Sequence, residues 1–252
     1  MDLELIGRTA IVTGGSMGIG KAVARQLALE GVDVAIAART KETLEAAAQE
    51  LGKEIGRRII PIVADTGRDE SVQNLVRQAA EAFGHIDILV NCAARPGGQG
   101  PVPSLAEITD QLFWDDLNIK VMGYLRCARE VAPYMKRQGW GRIISISGLA
   151  ARQSGNTIGS IRNVSVAAMT KNLADELGPH GINVTVVHPG LTRTEKTSEE
   201  TAQRMAGANS VHRLIDARDI ANVVAFLASP RAVAITGDAI AAGGGVGRGI
   251  YY

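Results

Sequence analysis

The chain has 252 residues, 46% hydrophobic and 21% charged, and its 27 basic and 26 acidic residues leave a formal charge of +1. This balance excludes a solvated, tail-like chain and offers no basic footprint, so no nucleic-acid partner is expected. Two cysteines, Cys92 and Cys127, argue against a disulfide framework or a cysteine metal cluster, and no uncharged apolar run reaches the ~18 residues a membrane helix needs.

The first residues read as one acidic turn before a strand, without a signal peptide. The expectation is a soluble cytoplasmic protein with no metal and no membrane partner. Strand and helix patterns then alternate throughout. Residues 9–12 are an apolar strand and residues 21–30 a helix. Between them lies Thr13-Gly14-Gly15-Ser16-Met17-Gly18-Ile19-Gly20. Residues 32–38 form a second strand. Thr40 precedes a helix with Leu44, Ala47, Ala48, Leu51 and Ile55 at helical spacing. Residues 59–64 are a third strand, ending in Asp65-Thr66-Gly67. A helix follows with Val72, Leu75, Val76, Ala79, Ala80 and Phe83 on one face.

Strand four covers residues 86–91 and is broken by Arg95-Pro96-Gly97-Gly98. A long helix is expected over residues 112–136, strand five over 142–147 and a helix over 164–177 that stops at Gly178-Pro179. Strand six, residues 183–187, is halted by His188-Pro189-Gly190. The polar segment 192–209 reads as a mobile insertion over a substrate. A helix at 219–227 and a strand at 239–242, before Gly243-Gly244-Gly245, complete the chain. Strands separated by helices of this length imply one α/β domain over residues 1–252. Its sheet is parallel and doubly wound, about seven strands, with helices on both faces.

The glycine-rich turn carries the first chemistry. Strand, turn and helix in this order are the context in which such glycines bind a dinucleotide. Gly14 allows the tight turn, Gly18 lets the backbone approach a pyrophosphate, and Gly20 lets helix pack on strand. The helix N-terminus then attracts phosphate.

Thr13-Gly14-x-x-x-Gly18-Ile19-Gly20, Asp65, Asn91-Cys92-Ala93-Ala94, Asn118, Pro189-Gly190 and Gly244-Gly245 together resemble the short-chain dehydrogenase/reductase family over essentially the whole length. The resemblance implies a Rossmann-type fold and an NAD(P)(H)-dependent oxidoreductase acting on a small carbonyl or alcohol substrate. It implies a cofactor site made of Gly14, Ser16, Met17, Gly18, Ile19, Gly20, Asp65, Thr66, Asn91, Ala93, Pro189, Gly190, Thr192 and Thr194. It also implies a homo-oligomer, a tetramer before a dimer. Cofactor choice is read at the end of strand two. Ala38 stands where a carboxylate would select a ribose hydroxyl, and Arg39 follows. A guanidinium suits a 2′-phosphate, which favours NADP(H) over NAD(H); the other reading of Arg39 is a solvated surface charge.

The same resemblance exposes a departure. The family uses a serine after strand five, then a tyrosine and a lysine four residues apart. Counting forward from strand five without a gap puts Gly148, Ile161 and Ser165 at those places, and no tyrosine occurs between Tyr134 and Tyr251. Ser147, Asn118, His188 and Arg162 are the substitute catalytic candidates, with Asn163 and Arg152 as further polar groups nearby. Ser147 is either a substrate contact or a strand-end residue bonding locally. His188 either titrates at the nicotinamide side or is packed. Arg162 either polarises a carbonyl or caps and pairs elsewhere. The Tyr251-Tyr252 tail could reach a neighbouring subunit's cleft. The competing functions are a cofactor-binding protein without turnover and a non-redox lyase or hydrolase on the same fold.

Overall fold

Alternate residues of each central strand face opposite ways, and in this chain both sets are apolar. In β1 (Thr9–Thr13) every residue is buried. Ala10 and Val12 enter one core and Ile11 the other. The same division holds in β2 (Asp33–Ala38), β4 (Ile88–Asn91) and β5 (Gly141–Ile146). Helices must therefore cover both faces. The first face takes α1 (Gly18–Leu29), α2 (Lys41–Ile55) and α8 (Ala217–Ala228); the second takes α3 (Asp69–Phe83), α5 (Gly123–Gln138) and α6 (Thr157–Leu177).

The computed structural model describes residues 1–94 and 101–247. With β3 (Ile59–Val63), β6 (Ile182–Pro189) and β9 (Ala239–Ala242), the strands form a seven-stranded sheet in the order β3-β2-β1-β4-β5-β6-β9. All its pairings are parallel. The expected doubly wound α/β fold is the observed one. Strand order reverses between β1 and β4, and the crevice beyond their carboxyl ends is where such sheets bind ligands. No helix among the described residues is long and apolar enough to cross a membrane.

Three departures from the sequence reading, and the make-up of segment 192–209, bear on the site. The long helix is α4 (Asp110–Leu117), a π-helical turn at Asn118–Met122, and then α5. Helix α6 begins at Thr157, seven residues before the expected start at residue 164, because Asn156 Oδ1 accepts the Gly159 N–H at 2.7 Å and caps it. Strand β6 continues through His188 and Pro189, pairing Pro189 with Ala242; proline is tolerated at a strand end. Segment 192–209 carries β7 (Thr192–Arg193), which pairs with β8 (Ile215–Asp216), and α7 (Glu199–Met205), which Ser198 caps. The Arg95-Pro96-Gly97-Gly98 break and the Tyr251-Tyr252 tail lie outside the described residues.

Candidate functional site

The glycine turn is shaped by contacts no other residue could make. Gly14 has φ +68°, and a Cβ there would stand 3.0 Å from the Ala93 nitrogen. A Cβ on Gly20 would lie 2.2 Å from the Gly14 carbonyl oxygen, so α1 rests directly on the turn. Met17, exposed at the α1 N-cap, offers no side-chain hydrogen bond, which leaves the first-turn N–H groups for other acceptors. One acceptor comes from the chain itself: the Gly18 N–H donates to Glu195 Oε1 at 2.8 Å. A carboxylate thus occupies the position where the helix end attracts an anion.

The remaining cofactor candidates gather on the same edge. Thr13 Oγ1 accepts the Cys92 and Ala93 N–H groups at 3.1 and 3.2 Å, tying the ends of β1 and β4. Asn91 is 1% exposed, and neither its Oδ1 nor its Nδ2 has a hydrogen-bond partner among the described residues. An unsatisfied buried amide costs about 1–3 kcal/mol. Asp65 Oδ1 accepts the Gly67 N–H at 2.9 Å, shaping the turn after β3, and Thr66 donates to the Ile119 carbonyl. Arg39 is exposed at the end of β2 with no ion-pair partner among the described residues. Ser16 is half-buried, and Ile19 packs against the core. Pro189 and Gly190 end β6; Thr192 Oγ1 donates to the Gly190 carbonyl and the Thr194 N–H to Thr197 Oγ1, each at 3.0 Å.

The substitute catalytic candidates are less available. Arg162 Nη1 holds both carboxylate oxygens of Asp116, at 2.7 and 2.8 Å, in a largely buried pair. Ser147 Oγ donates to the Asn163 carbonyl at 3.3 Å. His188 is buried, and its Nδ1 accepts the Gly148 N–H at 3.3 Å. Burial first, then the charges of Arg152 and Lys120, pull its pKa to about 4, so it is a neutral acceptor near pH 7. Asn118 belongs to a different edge: its Nδ2 donates to the Gly67 carbonyl at 3.2 Å, beside the end of β3 and away from β5.

Helix α6 places neither Ile161 nor Ser165 among its buried residues. Ile161 is 41% exposed, and Ser165 Oγ donates to the Ile161 carbonyl of its own helix. The inward stripe is Gly159, Asn163, Val166, Thr170 and Ala174. Gly159 and Asn163, each two positions before Ile161 and Ser165, are a four-apart pair on this buried stripe. The gapless count misses this because loop length between β5 and α6 leaves no periodic signature.

Lys120 is the residue the sequence reading missed. It is the one buried residue of the π turn, 4% exposed. Its Nζ donates to the Ser147 carbonyl at 3.0 Å and to Asn163 Oδ1 at 3.1 Å. Burial, reinforced by Arg162 and opposed by Asp116 and Cys92, lowers its pKa to about 7. The neighbouring Cys92 thiol is pushed up to about 12 by burial. Tyr124, one turn on, donates its hydroxyl to the Ile146 carbonyl at 2.9 Å, and burial holds it neutral. The sequence did carry a signal. Lys120 extends the buried stripe of Tyr124, Cys127, Val131 and Met135, and a lysine on an apolar stripe is costly unless partnered.

Comparison with known proteins agrees with this geometry. A family model described as enoyl-(acyl carrier protein) reductase matches residues 14–247. The short-chain reductase protein NovJ of Streptomyces niveus is 35% identical over 248 residues, covering 94% of this chain and 92% of that protein. The 3-oxoacyl-(acyl-carrier-protein) reductase FabG of Staphylococcus epidermidis is 33% identical over 247 residues, with 96% and 99% covered. Among solved structures, L-sorbose reductase from Gluconobacter frateurii, complexed with NADPH and L-sorbose, superposes with a TM-score of 0.89 at 28% identity, covering 99% of this chain and all of that one. A short-chain dehydrogenase from Burkholderia cenocepacia in complex with NADP gives 0.85 at 32% identity over 96% and 98%. The glycine turn, the parallel sheet and these similarities together show that the chain belongs to the short-chain dehydrogenase/reductase family of oxidoreductases.

Proposed function

We propose that the protein is an NADP(H)-linked oxidoreductase that interconverts a small carbonyl compound and its alcohol, with a proton donor that is not the family's tyrosine. The observation that carries the reading is Asn91. A buried amide whose two polar atoms have no partner among the described residues, at the switch point of the sheet and beside the Gly14 turn, fits a site that a bound dinucleotide completes. Gly14, Ser16, Met17, Gly18, Ile19 and Gly20 would hold the pyrophosphate side, Asp65 and Thr66 the adenine side, and Asn91, Ala93, Pro189, Gly190, Thr192 and Thr194 the nicotinamide side. When bound, the nicotinamide supplies or accepts hydride. The exposed Arg39 at the end of β2, with Ala38 in place of a carboxylate, supports NADP(H) over NAD(H).

Titration of the full chain with NADPH and with NADH, followed by nicotinamide fluorescence, tests this. NADPH is expected to bind at least about tenfold tighter, the worth of a charge-assisted phosphate contact; binding of neither cofactor would overturn the reading. A second reading, a cofactor-binding protein without turnover, is favoured by one observation: no tyrosine occurs between Tyr134 and Tyr251. Ketone-dependent oxidation of NADPH separates the two. A homo-oligomer, tetramer before dimer, fits the exposed Ile161 and Val164 on α6, and light scattering would measure it.

A further inference from the structure

Residue 148 has extended backbone (φ 172°), which any amino acid adopts. A side chain there would crowd a neighbour, because a Cβ would stand 3.0 Å from Asn163 Nδ2, and the amide would have to give way. The Asn163 amide therefore reaches into the place a residue-148 side chain would fill. It is held by its other end, where Oδ1 accepts from Lys120 Nζ at 3.1 Å. Asn163 Nδ2 donates to no other described residue. The Lys120 ammonium has three N–H groups and two described acceptors, Asn163 Oδ1 and the Ser147 carbonyl.

Two donors thus lie side by side at the carboxyl end of β5. We propose that Asn163 Nδ2 and the third N–H of Lys120 form the substrate-oxygen site, with Lys120 as the proton donor. This deepens the oxidoreductase reading and rests on it. In reduction, a reduced nicotinamide held in the crevice would supply the hydride that the carbonyl carbon takes up, and the carbonyl π pair would move onto oxygen. That oxygen takes the Lys120 proton: an Nζ–H bond breaks, an O–H bond forms, and the amine is reprotonated from solvent. Oxidation runs the same bonds in reverse, with neutral Lys120 as base.

The surroundings suit such a group. From α4 and α6 the Asp116–Arg162 pair faces it. Cys92 at the end of β4, Tyr124 on α5 and His188 on β6 complete the set, with Arg152 acting on His188. None of the thiol, phenol and imidazole carries charge near pH 7, and the Lys120 pKa of about 7 matches acid–base work at neutrality. Reduction should fall above pH 7 as the ammonium is lost, while alcohol oxidation should rise.

The test uses full-length protein with 13C-labelled lysine side chains, titrated by NMR from pH 5 to 10 with and without NADP. One lysine is expected to titrate near 7, to vanish in Lys120→Met, and to move up by about one to three units in Asn163→Asp, where a carboxylate faces the amine. Ser165→Ala is expected to leave it in place. With ethyl acetoacetate, 2,3-butanedione and L-sorbose as probe ketones, Lys120→Met and Asn163→Ala are expected to lower kcat about 100-fold or more. Their Kd for NADPH should stay within about threefold of wild type. A Lys120 titration at the ordinary value, or full turnover in Lys120→Met, overturns the proposal. Failure of wild type to bind NADPH overturns the oxidoreductase reading instead, and the lysine titration separates the two failures.

Discussion

The two edges of the crevice are built from different materials. The edge formed by the ends of β1, β2 and β4 is defined largely by backbone: Gly14, Gly18 and Gly20 are where they are because a Cβ would collide or a positive φ is needed. The edge formed by β5, the π turn and α6 is defined by side chains. There Lys120, Asn163 and Arg162 each depend on a partner from a distant part of the chain. A backbone site tolerates drift in its surroundings because its donors are peptide groups. A side-chain site depends on residues that fit in pairs, as Gly148 does against Asn163.

The largest expected effect lies on the side-chain edge. Lys120 titrates near 10.5 when unfolded and at about 7 when folded. Between those values the unfolded chain binds more protons, so the stability of wild type should rise as pH increases from about 7 to 10.5. Below pH 7 the full penalty of the buried charge remains. The rise should amount to as much as about 5 kcal/mol, and Lys120→Met should lack it. Urea midpoints of both proteins at pH 6 and pH 9.5 measure the difference. Equal pH dependence would show that the two edges do not differ in buried charge.

The backbone edge is broken by Gly20→Ala. Its methyl would meet the Gly14 carbonyl oxygen, and overpacking against backbone costs about 1–3 kcal/mol. NADPH affinity, read by fluorescence, should fall well below that of wild type, together with a loss of several degrees in Tm. Arg39→Ala probes the same edge through charge. It should weaken NADPH binding about tenfold, with the exposed guanidinium discounted for solvent, and leave NADH unchanged. Loss of both cofactors alike would deny Arg39 a phosphate role. The smallest effect is expected of Glu195→Gln, which neutralises the carboxylate on the Gly18 N–H. NADPH should then bind about twofold to fivefold tighter, the scale of a charge at a helix end. Weaker binding would mean that Glu195 assists the cofactor instead.

Much of the molecule could be read before it was folded. The seven-stranded parallel sheet follows from apolar strands alternating with amphipathic helices. The cofactor edge follows from the glycine spacing, since its constraints act within a few residues of Gly14 and Gly20. The edge formed by β5, the π turn and α6 was less legible for a physical reason. Asn118 was carried over from the family resemblance, and its amide is engaged by the Gly67 carbonyl beside the end of β3. Lys120, the buried residue of the π turn, continues the stripe of Tyr124, Cys127 and Val131 and is told from an ordinary stripe residue only by its partners. Ile161 and Ser165 were chosen by counting across a loop, yet the Asn156 cap starts α6 early and sets Gly159 and Asn163 on the inward face.

By itself, then, the sequence determined the fold class and the dinucleotide turn, because these depend on residue type and short-range periodicity. Only the tertiary structure decided which side chains meet. Lys120, Asn163 and Gly148 come from three separate stretches of the chain, and periodicity, which places a residue on a face, does not record which faces meet.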